Sequence, residues 1–216
     1  MSMTTTSNEI IWTVVVAAGS GTRFGGAKQF EVVGDRRVLD WATAAALSVS
    51  HGIVVVVPES YVESEGGIAG GPTRSASVRC GLAAVPTTAT IICVHDAARP
   101  FASEHLFREV VAAVHNGADG AVPAVAVTDT IKQIDAHNMV VTTPNRAGLV
   151  SAQTPQAFRA PVLREAHMTQ SEGTDDAALV EALGKRVVVI PGESLNRKLT
   201  TQEDLEWARG AARGEV

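Results

Sequence analysis

Gly19, Gly21, Gly25 and Gly26 follow a run of small apolar residues at 11–17, and Arg23 and Lys28 stand among them. A backbone this rich in glycine can turn its N–H groups inward and approach an anion closely, because no Cβ stands in the way. The arginine and the lysine add formal charge. Glycines with two cations suit a polyphosphate better than a lone carboxylate. Two familiar phosphate loops are excluded by single positions. A dinucleotide fingerprint needs glycine at position 24, where Phe24 stands, and a P-loop needs Gly-Lys followed by Ser or Thr. Here the order is Gly26-Ala27-Lys28-Gln29. The competing reading is a loop that uses glycine only to turn.

A second stretch, CVHDAARPF, sets Asp96 and Arg99 directly after the apolar run 91–94. An aspartate there can accept from ribose hydroxyls or help to hold a metal ion. It can equally cap the next turn.

These residues need elements to carry them. Apolar runs at 11–17, 53–57, 91–94, 121–127 and 187–190 read as strands. They are continuous rather than alternating, as in strands covered on both faces. Amphipathic stretches at 38–47, 75–85, 104–115, 160–168 and 175–183 lie between them, and 202–212 forms a last helix. The alternation predicts an α/β fold with a mostly parallel, Rossmann-like sheet flanked by helices. In such sheets ligands bind beyond the carboxyl ends of the strands, where residues 18–28 and 96–99 both fall. Residues 130–145 break the rhythm with two short polar-apolar strands around Asp135-Ala136-His137-Asn138. This is a hairpin signal, too polar for the central sheet, and it predicts a projecting arm over about 128–146.

A chain of 216 residues fits one compact domain, expected over 10–216 with a disordered tail at 1–9. A net charge of −5 argues against a dedicated nucleic-acid binder. Cys80 and Cys93 cannot form a framework of staples, and Cys93, in an apolar run, is expected as a buried thiol. The first ten residues carry neither a basic segment nor an apolar core, and no apolar run is long enough to cross a bilayer. The expectation is a cytoplasmic protein.

Taken together, the motifs resemble one family, the 2-C-methyl-D-erythritol 4-phosphate cytidylyltransferases. The AAGxGxR loop followed by KQ is matched by Ala17-Ala18-Gly19-Ser20-Gly21-Thr22-Arg23 and Lys28-Gln29, and GGxxRxxSV by residues 70–78. VHDAARP stands at 94–100, DTxK at 129–132, TPQ at 154–156, GTDD at 173–176 and NxKxT at 196–200. The series runs in order from about 11 to 206. One position departs: the family usually has proline before the loop lysine, and this chain has Ala27. The loop then lacks the fixed backbone that proline gives.

The resemblance implies a nucleotidyltransferase fold and a reaction joining CTP to methylerythritol phosphate with release of pyrophosphate. It implies catalytic roles for Arg23, Lys28, Arg146 and Lys198. Nucleotide contacts fall on Ala17, Ala18, Gly19, Gly21, Gly71, Ser77, Asp96 and Ala97. Arg99, Thr130, Thr154 and Thr174 match contacts to the second substrate. Mg²⁺ is implied across the triphosphate, with Asp96 touching the metal or the ribose. A homodimer whose arms complete each other's sites is also implied. Ser77 has a second reading, as the N-cap of the following helix. Asp175 and Asp176 read as caps of the helix that follows them. Other readings of the whole chain are a ribitol-5-phosphate cytidylyltransferase, a nicotinamide-dependent oxidoreductase on the same glycine-rich edge, and an inactive nucleotide-binding regulator.

Overall fold

Valine and isoleucine dominate the central strands, where branched side chains pack well on a pleated surface. The computed structural model describes residues 9–19, 21, 24–168 and 171–215. In chain order its elements are β1 (Ile11–Val16), β2 (Val32–Val33), β3 (Arg36–Arg37), α1 (Val38–Leu47), β4 (Gly52–Val57), α2 (Val62–Glu65), β5 (Ile68–Ala69) and α3 (Arg74–Ala84). They continue with β6 (Ile91–Asp96), α4 (Glu104–His115), β7 (Gly120–Ala126), β8 (Gln133–Ile134), β9 (Val140–Thr142) and β10 (Val150–Ala152). The chain ends through β11 (Gln156–Arg159), α5 (Ala160–Met168), α6 (Asp176–Ala182), β12 (Val187–Pro191) and α7 (Gln202–Ala212).

The main sheet has the order β10-β7-β11-β6-β1-β4-β5, with β12 paired to β7. β1 runs parallel to both β4 and β6, and β4–β5 and β7–β12 are parallel pairs. The expected α/β architecture is therefore present. One feature was not expected: β11 lies between β6 and β7 and runs antiparallel to both, and β10 is antiparallel to β7.

Neighbouring residues of β1 feed opposite cores. Val14 packs with Val56, Val94, Leu82 and Leu163 under α3, α5 and α6. Val15 packs with Cys93, Phe107 and Val110 under α1 and α4. Burial pushes the Cys93 thiol up to about 12, so it stays protonated and unreactive. Four helices begin at side-chain caps: Thr73, Ser103, Asp175 and Thr201 each accept an N–H from the first turn.

The hairpin stands apart from the sheet, as its polarity predicts. β8 and β9 pair only with each other. Asp135 accepts the N–H groups of His137 and Met139, and Asn138 takes the left-handed conformation, at φ 61°, that the tight turn needs. Of the expected disordered tail, residues 1–8 lie outside the described residues, while the Glu9 carboxylate sits 2.8 Å from His115 Nδ1. Among the described residues no helix is long and apolar enough to cross a membrane.

Candidate active site

Two cavities open side by side at the carboxyl edge of the parallel strands. The first, about 280 Å³, is walled by Ala17, Gly19, Gly21, Phe24, Lys28, Arg74, Asp96, Ala97 and Lys198 among others. The second, about 240 Å³, is lined by Arg99, Thr154 and Thr174 and shares Arg74, Asp96 and Lys198 with the first. Those three side chains form a common wall.

Asp96 reaches the wall because it ends β6, in register with Val16 at the end of β1. Its two oxygens point to different cations: Arg74 Nε donates to Oδ1 at 3.0 Å and Lys198 Nζ to Oδ2 at 2.6 Å. Burial alone would raise this carboxyl. Arg74 and Lys198, with Arg99 further off, reverse that and hold it far below the usual carboxylate range. Burial likewise works against the Arg74 charge, and Asp96 and Asp176 more than offset it. Asp96 and Arg74 are therefore both ionised at neutral pH.

Lys198 is aimed by its neighbour. Leu199 is fully buried with Phe24, Val33, Val38 and Leu205, and its N–H donates to Ala98 O at 2.8 Å. Beneath it a polar lock holds residues 193–196. Gln153 Oε1 accepts from Glu193 N and Asn196 Nδ2, its Nε2 donates to Glu193 O and Asn196 O, and Asn196 Nδ2 also donates to Thr154 O. Arg99 spans the same loop, donating to Asn196 O and Ala152 O.

Thr154 is fixed by a buried histidine. His95 Nε2 faces the carbonyl of Arg99, which can only accept, so that nitrogen carries the proton. Nδ1 then accepts from the Thr154 hydroxyl at 3.0 Å, and Thr154 Oγ1 accepts the N–H of Asp96. Burial lowers His95 to about 4, against a smaller upward pull from Asp96, so the ring is neutral at pH 7.

The glycine loop is anchored at both ends. Phe24 is buried in the third core and its carbonyl accepts from Gln202 Nε2, while Gln29 reaches back to Gly19 O. Lys28 opens a short 3-10 turn, Lys28–Phe30, on the cavity wall. Arg23, expected beside it, lies outside the described residues, as do Ser20 and Thr22. The expectation that glycine N–H groups face an anion is corrected in part. The N–H groups of Phe24, Gly25 and Gly26 all turn onto the Gly21 carbonyl, at 2.8 to 3.3 Å, so the loop is closed on itself.

Ala18, Gly70, Gly71 and Ser77 form a tight cluster, and of the expected nucleotide contacts Ala18, Gly71 and Ser77 are not among the residues lining either cavity. A Cβ at Gly70 would lie 2.3 Å from Ala18 Cβ and 2.9 Å from Ser77 Oγ, so that backbone can come so near only as glycine. Ser77 is not the N-cap; Thr73 is. The buried Ser77 hydroxyl donates to Thr73 O and accepts from Gly71 N, which makes it the tie that fixes the Gly71 turn.

Two further expected residues, Thr130 and Arg146, also stay out of the cleft of their own chain. Thr130 is exposed at the start of the arm, and Arg146, also exposed, donates to Thr128 O at its base. Two residues were missed as site residues. Arg74 stood in a quoted motif without a role. Asp176, read as a cap, is fully buried and accepts from Arg74 Nη1 at 2.8 Å and His167 Nε2 at 2.9 Å, while the cap is Asp175. The signal available was the GTDD run itself, whose second aspartate falls on the buried face of α6.

Residues 11–212 match the model of the family described as IspD, 2-C-methyl-D-erythritol 4-phosphate cytidylyltransferase. The bifunctional enzyme IspD/IspF of Nitratidesulfovibrio vulgaris is 41% identical over 90% of this chain and 56% of its own length. The chain thus spans little more than half of that relative. The 2-C-methyl-D-erythritol 4-phosphate cytidylyltransferase of Nocardia farcinica is 40% identical over 90% of both chains. Among solved structures, the 4-diphosphocytidyl-2C-methyl-D-erythritol synthase of Anaerococcus prevotii superposes with a TM-score of 0.83 at 30% identity, covering 95% of this chain and 99% of the other. The Thermus thermophilus cytidylyltransferase gives 0.79 at 34%, covering 93% and 98%. With the family model covering residues 11–212 and the fold agreeing with these structures, the chain belongs to the 2-C-methyl-D-erythritol 4-phosphate cytidylyltransferase family.

Proposed function

We propose that this chain joins CTP to 2-C-methyl-D-erythritol 4-phosphate, giving 4-diphosphocytidyl-2-C-methyl-D-erythritol and pyrophosphate. The observation that carries this is the wall shared by the two cavities, in which Arg74 and Lys198 face both sides. A nucleotide in the first cavity and a polyol phosphate in the second present mutually repelling anions to the same cations. A phosphate oxygen of the polyol attacks the α-phosphorus of CTP. That P–O bond forms as the bond to the β-phosphate oxygen breaks, and its electron pair leaves with pyrophosphate. A phosphate monoester is already largely ionised near neutral pH, so no protein nucleophile or strong base is required. Rate enhancement then comes from positioning and fixed charge. Lys28 and Arg23 stabilise charge at the α-phosphate and the departing pyrophosphate. Lys198, Arg99, Thr154 and Thr174 hold the acceptor.

Cytosine recognition is assigned to the backbone around Ala17, Ala18 and Gly71, with Ser77 holding that turn rigid. Mg²⁺ fits as a triphosphate-bound ion. Among the described residues no three His, Cys, Asp or Glu side chains converge, but the ionised Asp96 keeps lone pairs beyond its hydrogen bonds and can contribute a single oxygen. When bound, the ion neutralises triphosphate charge. The exposed Met139, Val140 and Val141 of the arm support a homodimer in which Arg146 and Thr130 complete the partner's site. A cytoplasmic setting accords with such substrates. The test is pyrophosphate release with each nucleoside triphosphate against methylerythritol phosphate and ribitol 5-phosphate. CTP with methylerythritol phosphate is expected to dominate, and equal turnover of ribitol phosphate overturns the assignment.

A further inference from the structure

Behind the shared wall, two enclosed side chains, His167 and Asp176, continue its hydrogen-bonded line away from both cavities. His167 Nε2 lies 2.9 Å from Asp176 Oδ1, Asp176 Oδ2 accepts from Arg74 Nη1 at 2.8 Å, Arg74 Nε donates to Asp96 Oδ1 at 3.0 Å, and Asp96 Oδ2 accepts from Lys198 Nζ at 2.6 Å. Five side chains from α5, α6, α3, β6 and the segment before α7 thus meet in sequence. We infer that Asp176, oriented by His167, is a positioning residue for Lys198, acting through Arg74 and Asp96.

The argument is geometric. The Arg74 guanidinium is a rigid plane whose Nε and Nη1 edges are held by different carboxylates, so its rotation is fixed only while both are present. Remove the Asp176 charge and Arg74 is free to swing onto Asp96 with two of its N–H groups, the favoured geometry for an arginine–carboxylate pair. Asp96 then turns from Lys198, and the ammonium loses the contact that aims it. Asp176 itself cannot wander. The first turn of α6 is fastened to β11 through Gln156, which donates to Asp175 Oδ2 and accepts the N–H of Ala177. His167 and Asp176 are both almost fully enclosed, so neither contacts solvent-borne substrate directly. Their buried pairing holds the carboxylate at one rotamer from behind.

The experiment pairs two readouts. In a double-mutant cycle, Asp176→Asn is expected to lower kcat for CTP and methylerythritol phosphate by about tenfold to a hundredfold while the CTP KM moves less than about threefold. Combined with Lys198→Gln it adds little, because both changes disable the same ammonium. Effects that multiply, or a kcat unchanged by Asp176→Asn, overturn the inference. The kinetic arm rests on the proposed transfer reaction; the second arm does not. Acetylation of lysines by acetic anhydride in the unliganded protein, read by mass spectrometry, is expected to quicken several-fold at Lys198 in Asp176→Asn and stay unchanged at Lys185. Equal Lys198 labelling in both proteins overturns the inference. If the wild-type chain does not turn over these substrates, the proposed function fails and the labelling alone decides. Should Asp176→Asn not fold, His167→Gln, which keeps a donor to Asp176, is expected to retain activity and slow labelling. His167→Leu is expected to lose both, and identical behaviour of the two variants counts against the inference.

Discussion

The cleft wall and the projecting arm use side chains in opposite ways. In the wall, each cation has a carboxylate or carbonyl from a distant part of the same chain: Arg74 has Asp96 and Asp176, Lys198 has Asp96, and Arg99 has the carbonyls of Asn196 and Ala152. In the arm, Ile131, Ile134, Met139, Val140 and Val141 are exposed, and β8 and β9 hydrogen-bond only to each other. One region is organised by its own fold; the other has the composition of a surface that a second copy covers. Orientation is inherited in the first case and, under the proposed homodimer, borrowed in the second.

The largest test of this contrast is Lys198→Gln, expected to lower kcat/KM by about a hundredfold or more with only a small fall in melting temperature, because a charge-stabilising donor is lost from a half-exposed side chain while Arg74 still pairs the buried Asp96. A large fall in melting temperature makes the wall a structural feature first. Next, inactive Arg23→Ala and Arg146→Ala subunits mixed under exchange conditions should recover about a quarter of wild-type activity, since half the dimers are mixed and each keeps one intact site. No recovery above the parents breaks the idea of shared sites.

A third test compares histidines in the two regions. His95 is held neutral by burial, its folded value near 4 against an ordinary 6.5. Its contribution to stability is therefore complete above pH 6.5 and is lost as pH falls towards 4. Between pH 7 and 5 this amounts to about 2 kcal/mol, read by urea unfolding. His95→Gln should flatten that slope, whereas the exposed arm residue His137→Gln should leave it intact. The smallest effect compares glycines. Gly70→Ala drives a methyl group into Ala18 and Ser77 and should raise the CTP KM by about fivefold, while Gly148→Ala, with nothing within 4 Å, should be silent. Unequal specificity for CTP over UTP in Gly70→Ala would sharpen the assignment of the base pocket.

Much of the scaffold was legible in the chain. The expected helices 38–47, 104–115, 160–168 and 202–212 match α1, α4, α5 and α7 to the residue, because their apolar residues recur at a helical period, and α4 and α7 also begin at side-chain caps. The buried parallel strands shifted by two residues at most. What escaped was short or polar: β10 and β11 carry Ser, Gln and Arg over three or four residues, too little for any period to show. The cleft was half legible. Lys28, Asp96 and Arg99 announce themselves by charge in a glycine loop and after a buried strand, whereas Lys198 was reached only through the family resemblance. The Arg74–Asp176 contact joins positions 102 apart, and spacing along the chain holds no trace of it. Asp176 was misread because, one residue beyond the true cap Asp175, it looks like a helix-start residue until the fold turns it inward.

β11 carries a last consequence. A strand reversed within a parallel sheet delivers its beginning, not its end, to the edge where the other strands finish, so Gln153, Thr154 and Gln156 face a cleft whose opposite half is made from strand ends. One wall of the second cavity is consequently a contiguous segment, running from the end of β7 through the arm to β11, while Arg99, Thr174 and Lys198 reach the same cavity from other parts of the chain. Under the proposed function, exchange of that one segment changes part of the acceptor's surroundings while the charged wall of Arg74, Asp96 and Lys198 stays in place.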